Sequence, residues 1–358
     1  MKKPQRPWWW WAALIGAALA VGGFLFVASG VISLKASSGH WKITEWVLRF
    51  GMDRSIATHS LAIKAPDLRD PRLVVQGAGH FEMGCRSCHG APGLAQSRVA
   101  SAMLPVPPEL WERITGSSPE KLFYAVKHGM KFTGMPAWPT QQRDDEVWAT
   151  VAFLLKFPTM DAAEYRRLAG RGVNDPGTGS ASAPAAIRSC VSCHGADGMG
   201  GLERAHPRLA GQRREYLEAA LQAYAMGRRH SGTMGVAAAE LSPTDHARVA
   251  EYFTNLNVPA TTLRRDAGAA TDNAAIARGR AIAHEGLREQ KVPACIECHG
   301  PGAKRGKPEY PLLAGQSATY LELQLTLFKE DRRGGSTHAH LMQPIASRLS
   351  PEQMREVS

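Results

Sequence analysis

The pattern Cys-x-x-Cys-His-Gly occurs three times in this chain. It reads GCRSCHG at Gly84–Gly90, SCVSCHG at Ser189–Gly195 and ACIECHG at Ala294–Gly300, and these copies hold all six cysteines. Two thiols spaced in this way beside an imidazole have three known uses. Two such pairs can form a four-cysteine zinc site, but that leaves the third pair over and gives the histidines no role. A thioredoxin-like redox pair belongs to a βαβ setting, which is absent around each motif. Covalent attachment of c-type haem uses Cys-x-x-Cys-His as it stands. The thiols form thioethers to the haem vinyls and the next residue ligates the iron. The short turn sets both sulfurs along one haem edge while the imidazole reaches the metal. This reading assigns three covalently bound haem c groups to Cys85 and Cys88, Cys190 and Cys193, and Cys295 and Cys298. Their proximal iron ligands are His89, His194 and His299.

The N-terminus sets the expected compartment. Lys2, Lys3 and Arg6 precede an apolar run from Trp8 to Leu34, with no charged residue until Lys35. A spanning helix takes about 20 residues. A cleaved signal has a shorter apolar region and a small-residue cleavage site, and no good A-x-A-like site follows here. Residues 1–35 therefore read as a cytoplasmic tail and transmembrane signal anchor. Positive charge ahead of the span keeps the tail inside, and Trp8–Trp11 fit an interfacial aromatic anchor. Single-pass insertion in a bacterial inner membrane, with the haem domains in the periplasm, is the expectation. The net charge of +11 suits anionic lipid or acidic protein partners. No dense Lys/Arg block is interleaved with aromatics, so nucleic acid is not an expected partner.

The rest divides by composition. Residues 36–64 form a membrane-proximal segment, in which Ile43, Trp46, Val47 and Phe50 share one helical face; packing on the first domain is the expectation, and a helix lying on the membrane surface or against a partner subunit is the alternative. Domains are expected at 65–163, 184–260 and 274–358, joined by linkers at 164–183 and 261–273. An internal repeat ties the last two domains together. HPRLAGQRREYLEAALQAYAMGRR from His206 matches YPLLAGQSATYLELQLTLFKEDRR from Tyr310, and MGVAAAELSP from Met234 matches MQPIASRLSP from Met342. Helical spacing recurs throughout, and Ser242-Pro243 and Ser350-Pro351 read as an N-cap followed by proline at the first helical position. No segment shows sustained strand alternation.

The sixth iron ligand decides the chemistry, because methionine raises the potential and saturates the iron. Met234 lies 40 residues after His194 and Met342 43 after His299, at matched places in the repeat. Met226 competes with Met234 but reads as filler in an amphipathic helix. In the first domain Met130 and Met135 compete. His128, His206, His230, His338 and His340 are the candidates for bis-His ligation.

At these residues each domain resembles a class I cytochrome c. The last two look like the halves of the dihaem cytochromes that feed terminal oxidases, through PRLAGQ…YL from Pro207, PLLAGQ…YL from Pro311 and the loops at Met234 and Met342. The first looks like a monohaem domain of the same class through GCRSCHG, GMPAWP and DDEVWATVAFL. The resemblance implies an all-α fold, an N-terminal transmembrane helix followed by three tandem class I domains. It implies Met135 as the first domain's ligand. It also implies that the carbonyls of Pro207 and Pro311 accept a hydrogen bond from the proximal histidine; in the first domain Pro105, Pro107 and Pro108 stay open.

The function expected is single-electron relay in a respiratory chain, not catalysis. The donor is a quinol-oxidising complex or dehydrogenase, and the acceptor a terminal oxidase or soluble cytochrome. The rivals are the cytochrome subunit of a membrane-bound alcohol or sugar dehydrogenase and a haem enzyme such as a di-haem peroxidase. The second domain's final helix carries Tyr252 and Phe253, whereas the matching stretch LSPEQMREVS stops at Ser358. The native product is therefore expected to continue for at least another helical turn.

Overall fold

The computed structural model describes residues 7–31, 35–170, 185–258, 273–303 and 305–358. Helix α1, Trp8–Ala28, has 21 residues, none of them buried. By length and composition it could cross a membrane, a test that a signal sequence also passes. It stops at Ala28, where the Ser29 N–H bonds back to the Leu25 carbonyl. Residues 32–34 of the expected span lie outside the described residues.

Helix α2, Lys42–His59, corrects one expectation. Ile43, Trp46, Val47 and Phe50 are 52–64% exposed, and Trp46 stacks on Phe50 at 5.8 Å. The apolar stripe occupies the first half of the helix, while in the last turn of α2 His59 stacks on Tyr124 of the first domain at 5.5 Å.

The first domain is built from α3 (Pro71–Gly84), α4 (Pro119–His128), α5 (Asp144–Lys156) and α6 (Ala162–Leu168). Asp70 caps α3 by accepting from the Arg72 N–H, with Pro71 at the first helical position. Asp144, Asp145 and Glu146 open α5 and Lys156 closes it, so the charges match the helix dipole. Helices α3 and α5 cross at Gly77, where a Cβ would run into the Ala149 carbonyl. Beside the crossing, Phe81 meets Phe153, Phe157 and Tyr165 with ring centroids 5.2–6.3 Å apart. Truncating one such buried ring costs about 3–5 kcal/mol. Helix α6 occupies the first residues of the expected linker at 164–183. Tyr165 is fully buried in the first core and donates to Glu82 at 2.5 Å, so this domain runs past 163. Residues 171–183 of that linker lie outside the described residues.

The second domain holds α7 (Ala185–His194), α8 (Arg214–Ala225), α9 (Gly232–Ala239) and α10 (Pro243–Thr254). Ile187 and Val191 of α7 pack on Val249, Ala250 and Phe253 of α10. Residues 261–272 of the second expected linker lie outside the described residues. The last stretch holds α11 (Asn273–Glu285), α12 (Ala318–Lys329), α13 (Met342–Arg348) and α14 (Pro351–Val357). There Gly279 lets α11 cross α14, since a Cβ would strike the Glu356 carbonyl. Ser242 caps α10, and Ser350 with Gln353 makes a capping box on α14. Among the described residues there is no strand, only isolated bridges, and one of these joins Arg229 to Gly334.

Candidate haem-binding sites

Each Cys-x-x-Cys-His motif is wound as helix. Arg86–His89 and Ile296–His299 are single turns, and the middle motif ends α7. The N–H of His89 bonds the Cys85 carbonyl at 3.0 Å, and that of His299 the Cys295 carbonyl at 2.9 Å. Each turn therefore places its histidine one helical turn from the first cysteine.

All three imidazoles meet a proline carbonyl. His89 Nδ1 lies 3.0 Å from Pro108 O, His194 Nδ1 2.9 Å from Pro207 O and His299 Nδ1 2.9 Å from Pro311 O. A carbonyl only accepts, so Nδ1 carries the proton and Nε2 keeps its lone pair. In the first domain Pro108 takes the position that sequence leaves open among three prolines, while Gln96 holds the Pro107 carbonyl at 2.7 Å. Burial pushes His194 and His299 down, towards the neutral imidazole that a metal needs.

The donor set fits covalently attached haem. None of the six cysteines is paired in a disulfide. Burial pushes Cys85 up to about 12 and Cys190 to about 11, the reverse of the lowered thiol of a CxxC redox pair. Among the described residues no three His, Cys, Asp or Glu side chains converge as a metal cluster, so the pairs do not assemble a zinc site.

The candidate methionines lie in three settings. Met135 is half-buried in the loop between α4 and α5, and its carbonyl accepts from the Met130 N–H at 3.1 Å. Met234 sits in the first turn of α9, its N–H donating to the capping Ser231 Oγ at 3.0 Å and its side chain on the second core. Met342 begins α13 and is half-buried. Met226 is not the core filler its spacing implies. It stands at the C-cap of α8, 65% exposed, because the helix ends there and turns it to solvent. Among the bis-His candidates, His206 is part-buried 5.8 Å from the His194 ring, His338 faces Tyr310 at 5.4 Å, and His128 is exposed beside Tyr124.

The contacts between domains are what sequence reasoning missed. Glu146, only 5% exposed, accepts from Ser231 Oγ at 2.5 Å, the Gly232 N–H at 2.6 Å and Trp138 Nε1 at 3.1 Å, and pairs with Arg143 at 3.2 Å. Trp138 belongs to the Met135 loop and Ser231 caps the Met234 helix, so one carboxylate of the first domain ties both methionine segments. Thr233 Oγ1 adds a contact to His80 Nδ1 at 2.6 Å.

The second domain and the stretch that follows it meet through Gln212 and Gln316. Gln212 accepts from the Leu312 N–H at 3.0 Å and donates to the Leu312 carbonyl at 2.6 Å. Gln316 does the same to Arg208, at 2.8 and 3.1 Å. Beside them the buried Arg229 donates to Tyr320 at 2.9 Å. The two glutamines occupy matched repeat positions, a signal visible in sequence without its meaning.

Two family models match the chain: one described as cytochrome C oxidase, cbb3-type, subunit III over residues 72–154, the other as cytochrome c over residues 179–257. The thiosulfate dehydrogenase electron acceptor of Thiomonas intermedia is 37% identical over 178 residues, covering 50% of this chain and 79% of that protein. Cytochrome c-552 of Acidithiobacillus ferridurans is 34% identical over 187 residues, 50% of this chain and 76% of the relative. Cytochrome c4 of Pseudomonas aeruginosa is 33% identical over 180 residues, 50% of this chain and 85% of the relative. With its Cys-x-x-Cys-His turns and proline-held histidines, the chain belongs to the multihaem class I cytochromes c, as an electron-transfer protein related to the dihaem cytochromes c4 and the thiosulfate dehydrogenase electron acceptors.

Proposed function

We propose that the chain is a membrane-anchored tri-haem cytochrome c that relays single electrons on the periplasmic side of a bacterial inner membrane. One observation carries this reading: a single constellation recurs three times, two thiols and a histidine whose Nδ1 is committed to a proline carbonyl. Cys85, Cys88, His89 and Met135 would hold the first haem, Cys190, Cys193, His194 and Met234 the second, and Cys295, Cys298, His299 and Met342 the third. Bound haem supplies an iron that cycles between ferric and ferrous. The chain's own residues do the rest. The prolines orient the imidazoles and raise their basicity, and the domain contacts hold the three sites in one body. Helix α1 is the membrane anchor in this reading.

The names of the relatives support a dehydrogenase as donor over a quinol-oxidising complex, and thiosulfate dehydrogenase is the first candidate. The acceptor is a terminal oxidase or a soluble cytochrome. A net charge of +11 favours steering to acidic partner surfaces. A pyridine haemochrome assay against protein mass returns three haems per chain, and a count of one or two removes the constellation that falls short. Stopped-flow mixing with thiosulfate dehydrogenase and thiosulfate reduces the haems at a rate that falls with salt. If thiosulfate dehydrogenase leaves the haems oxidised while a quinol-oxidising complex reduces them, the donor assignment is wrong.

A further inference from the structure

The peptide between Pro207 and Arg208 has both ends occupied. Its carbonyl accepts from His194 Nδ1 at 2.9 Å, and its N–H, on Arg208, donates at 2.8 Å to Gln316 Oε1 of the third domain. The peptide between Pro311 and Leu312 repeats this in reverse. Its carbonyl accepts from His299 Nδ1 at 2.9 Å, and its N–H, on Leu312, donates at 3.0 Å to Gln212 Oε1 of the second domain. Each proximal histidine is therefore one peptide group away from a glutamine of the other domain. Gln212 is 2% exposed and Arg208 6%, so water does not compete freely for these bonds.

A peptide that donates at nitrogen is polarised and becomes a stronger acceptor at oxygen, by roughly 10–30% per bond in a chain of hydrogen bonds. A stronger acceptor at Nδ1 makes the imidazole a more basic ligand. A more basic ligand favours ferric over ferrous iron, which lowers the potential. We propose that Gln316 sets the potential of the second haem and Gln212 that of the third, each acting across the domain boundary as a positioning residue through the other domain's proline peptide. This rests on the histidines being the iron ligands.

The test is a spectroelectrochemical titration of the full haem-loaded chain carrying Gln316→Leu or Gln212→Leu. The wave of the second haem is identified by its displacement in Met234→His. Gln316→Leu raises the second haem's ferrous-to-ferric ratio at fixed potential about threefold, equivalent to about 28 mV at 59 mV per tenfold, and leaves the third in place. Gln212→Leu moves the third and leaves the second. Gln316→Glu keeps an acceptor for the Arg208 N–H and loses only the donor to the Arg208 carbonyl, so it holds or lowers the second haem's potential although it too weakens docking. The proposal is overturned if both haems shift together, if the haem of the substituted domain shifts, if neither shifts, or if Leu and Glu act in the same upward direction. A haemochrome count is taken on every variant. Fewer than three haems in the unsubstituted chain defeats the site reading, whereas a full count with the wrong pattern defeats this inference alone.

Discussion

Replacing Glu146 by alanine tests whether the first and second domains are held by chemistry or merely by proximity. The carboxylate receives three hydrogen bonds, from Ser231 Oγ, the Gly232 N–H and Trp138 Nε1, and it lies 3.2 Å from Arg143. Hydrogen bonds to a charged group contribute about 1.5–3 kcal/mol each. They share one acceptor group and do not add. Removing one member of a buried ion pair costs about 3–5 kcal/mol. Arg143 keeps Asp145 at 2.6 Å, so the cation is not stranded and the lower part of that range applies. The expected cost of Glu146→Ala is about 3 kcal/mol. Because a chain of several domains need not unfold in one step, the quantity to measure is the first transition in guanidinium chloride, followed by far-UV circular dichroism. A double-mutant cycle with Ser231→Ala isolates the contact, and a coupling of about 1.5 kcal/mol or more is expected. If the two substitutions add to within about 0.5 kcal/mol, the usual scatter for independent sites, the carboxylate does not hold the Met234 segment and the reasoning fails.

Three further outcomes can be checked. Substituting His for Met135, Met234 or Met342 in turn lowers one haem's potential and removes a share of the charge-transfer band; the same result from Met130 or Met226 would move the assignment there. Gly77→Ala and Gly279→Ala each force a helix crossing apart and cost about 1–3 kcal/mol, the usual penalty of overpacking. By contrast Gly51→Ala in α2 meets nothing within 4 Å and gains about 0.5–1 kcal/mol, as expected for alanine over glycine in a helix; equal effects at all three positions would refute the crossing argument. Membranes washed in high salt retain the protein through α1, since a spanning helix is not held by surface charge; haem recovered in the wash, on a chain starting beyond Leu34, shows a cleaved signal instead.

What was legible in the sequence is what a few adjacent residues determine. The Cys-x-x-Cys-His turns, the Ser242-Pro243 and Ser350-Pro351 helix starts and the repeat that matches the segment at Met234 with the one at Met342 need only short-range pattern, whereas the loops expected at these two methionines are helices. The choice of Pro108 among three neighbouring prolines was not legible, because it depends on where His89 points once the loop has folded. Met226 misled because helical spacing extends to the C-cap of α8, whereas burial does not. The burial of Tyr165 was hidden because its partner Glu82 lies 83 residues away. Glu146 gave no signal either, since nothing local marks a carboxylate whose partners sit 85 and 86 residues further on.

The paired glutamines carry a consequence about ancestry. Gln212 and Gln316 occupy one repeat position, and each grips the residue that corresponds to the one gripped by its counterpart. Such a contact is isologous: a single surface is complementary to itself under a two-fold rotation. A solitary domain bearing that glutamine and that proline loop could have made both halves of the contact with a second copy of itself. Joining two copies in one chain would then need no new surface, only a tether, and would free each half to diverge. The grip is symmetric although the positions beside it differ, His206 against Tyr310 and Arg208 against Leu312.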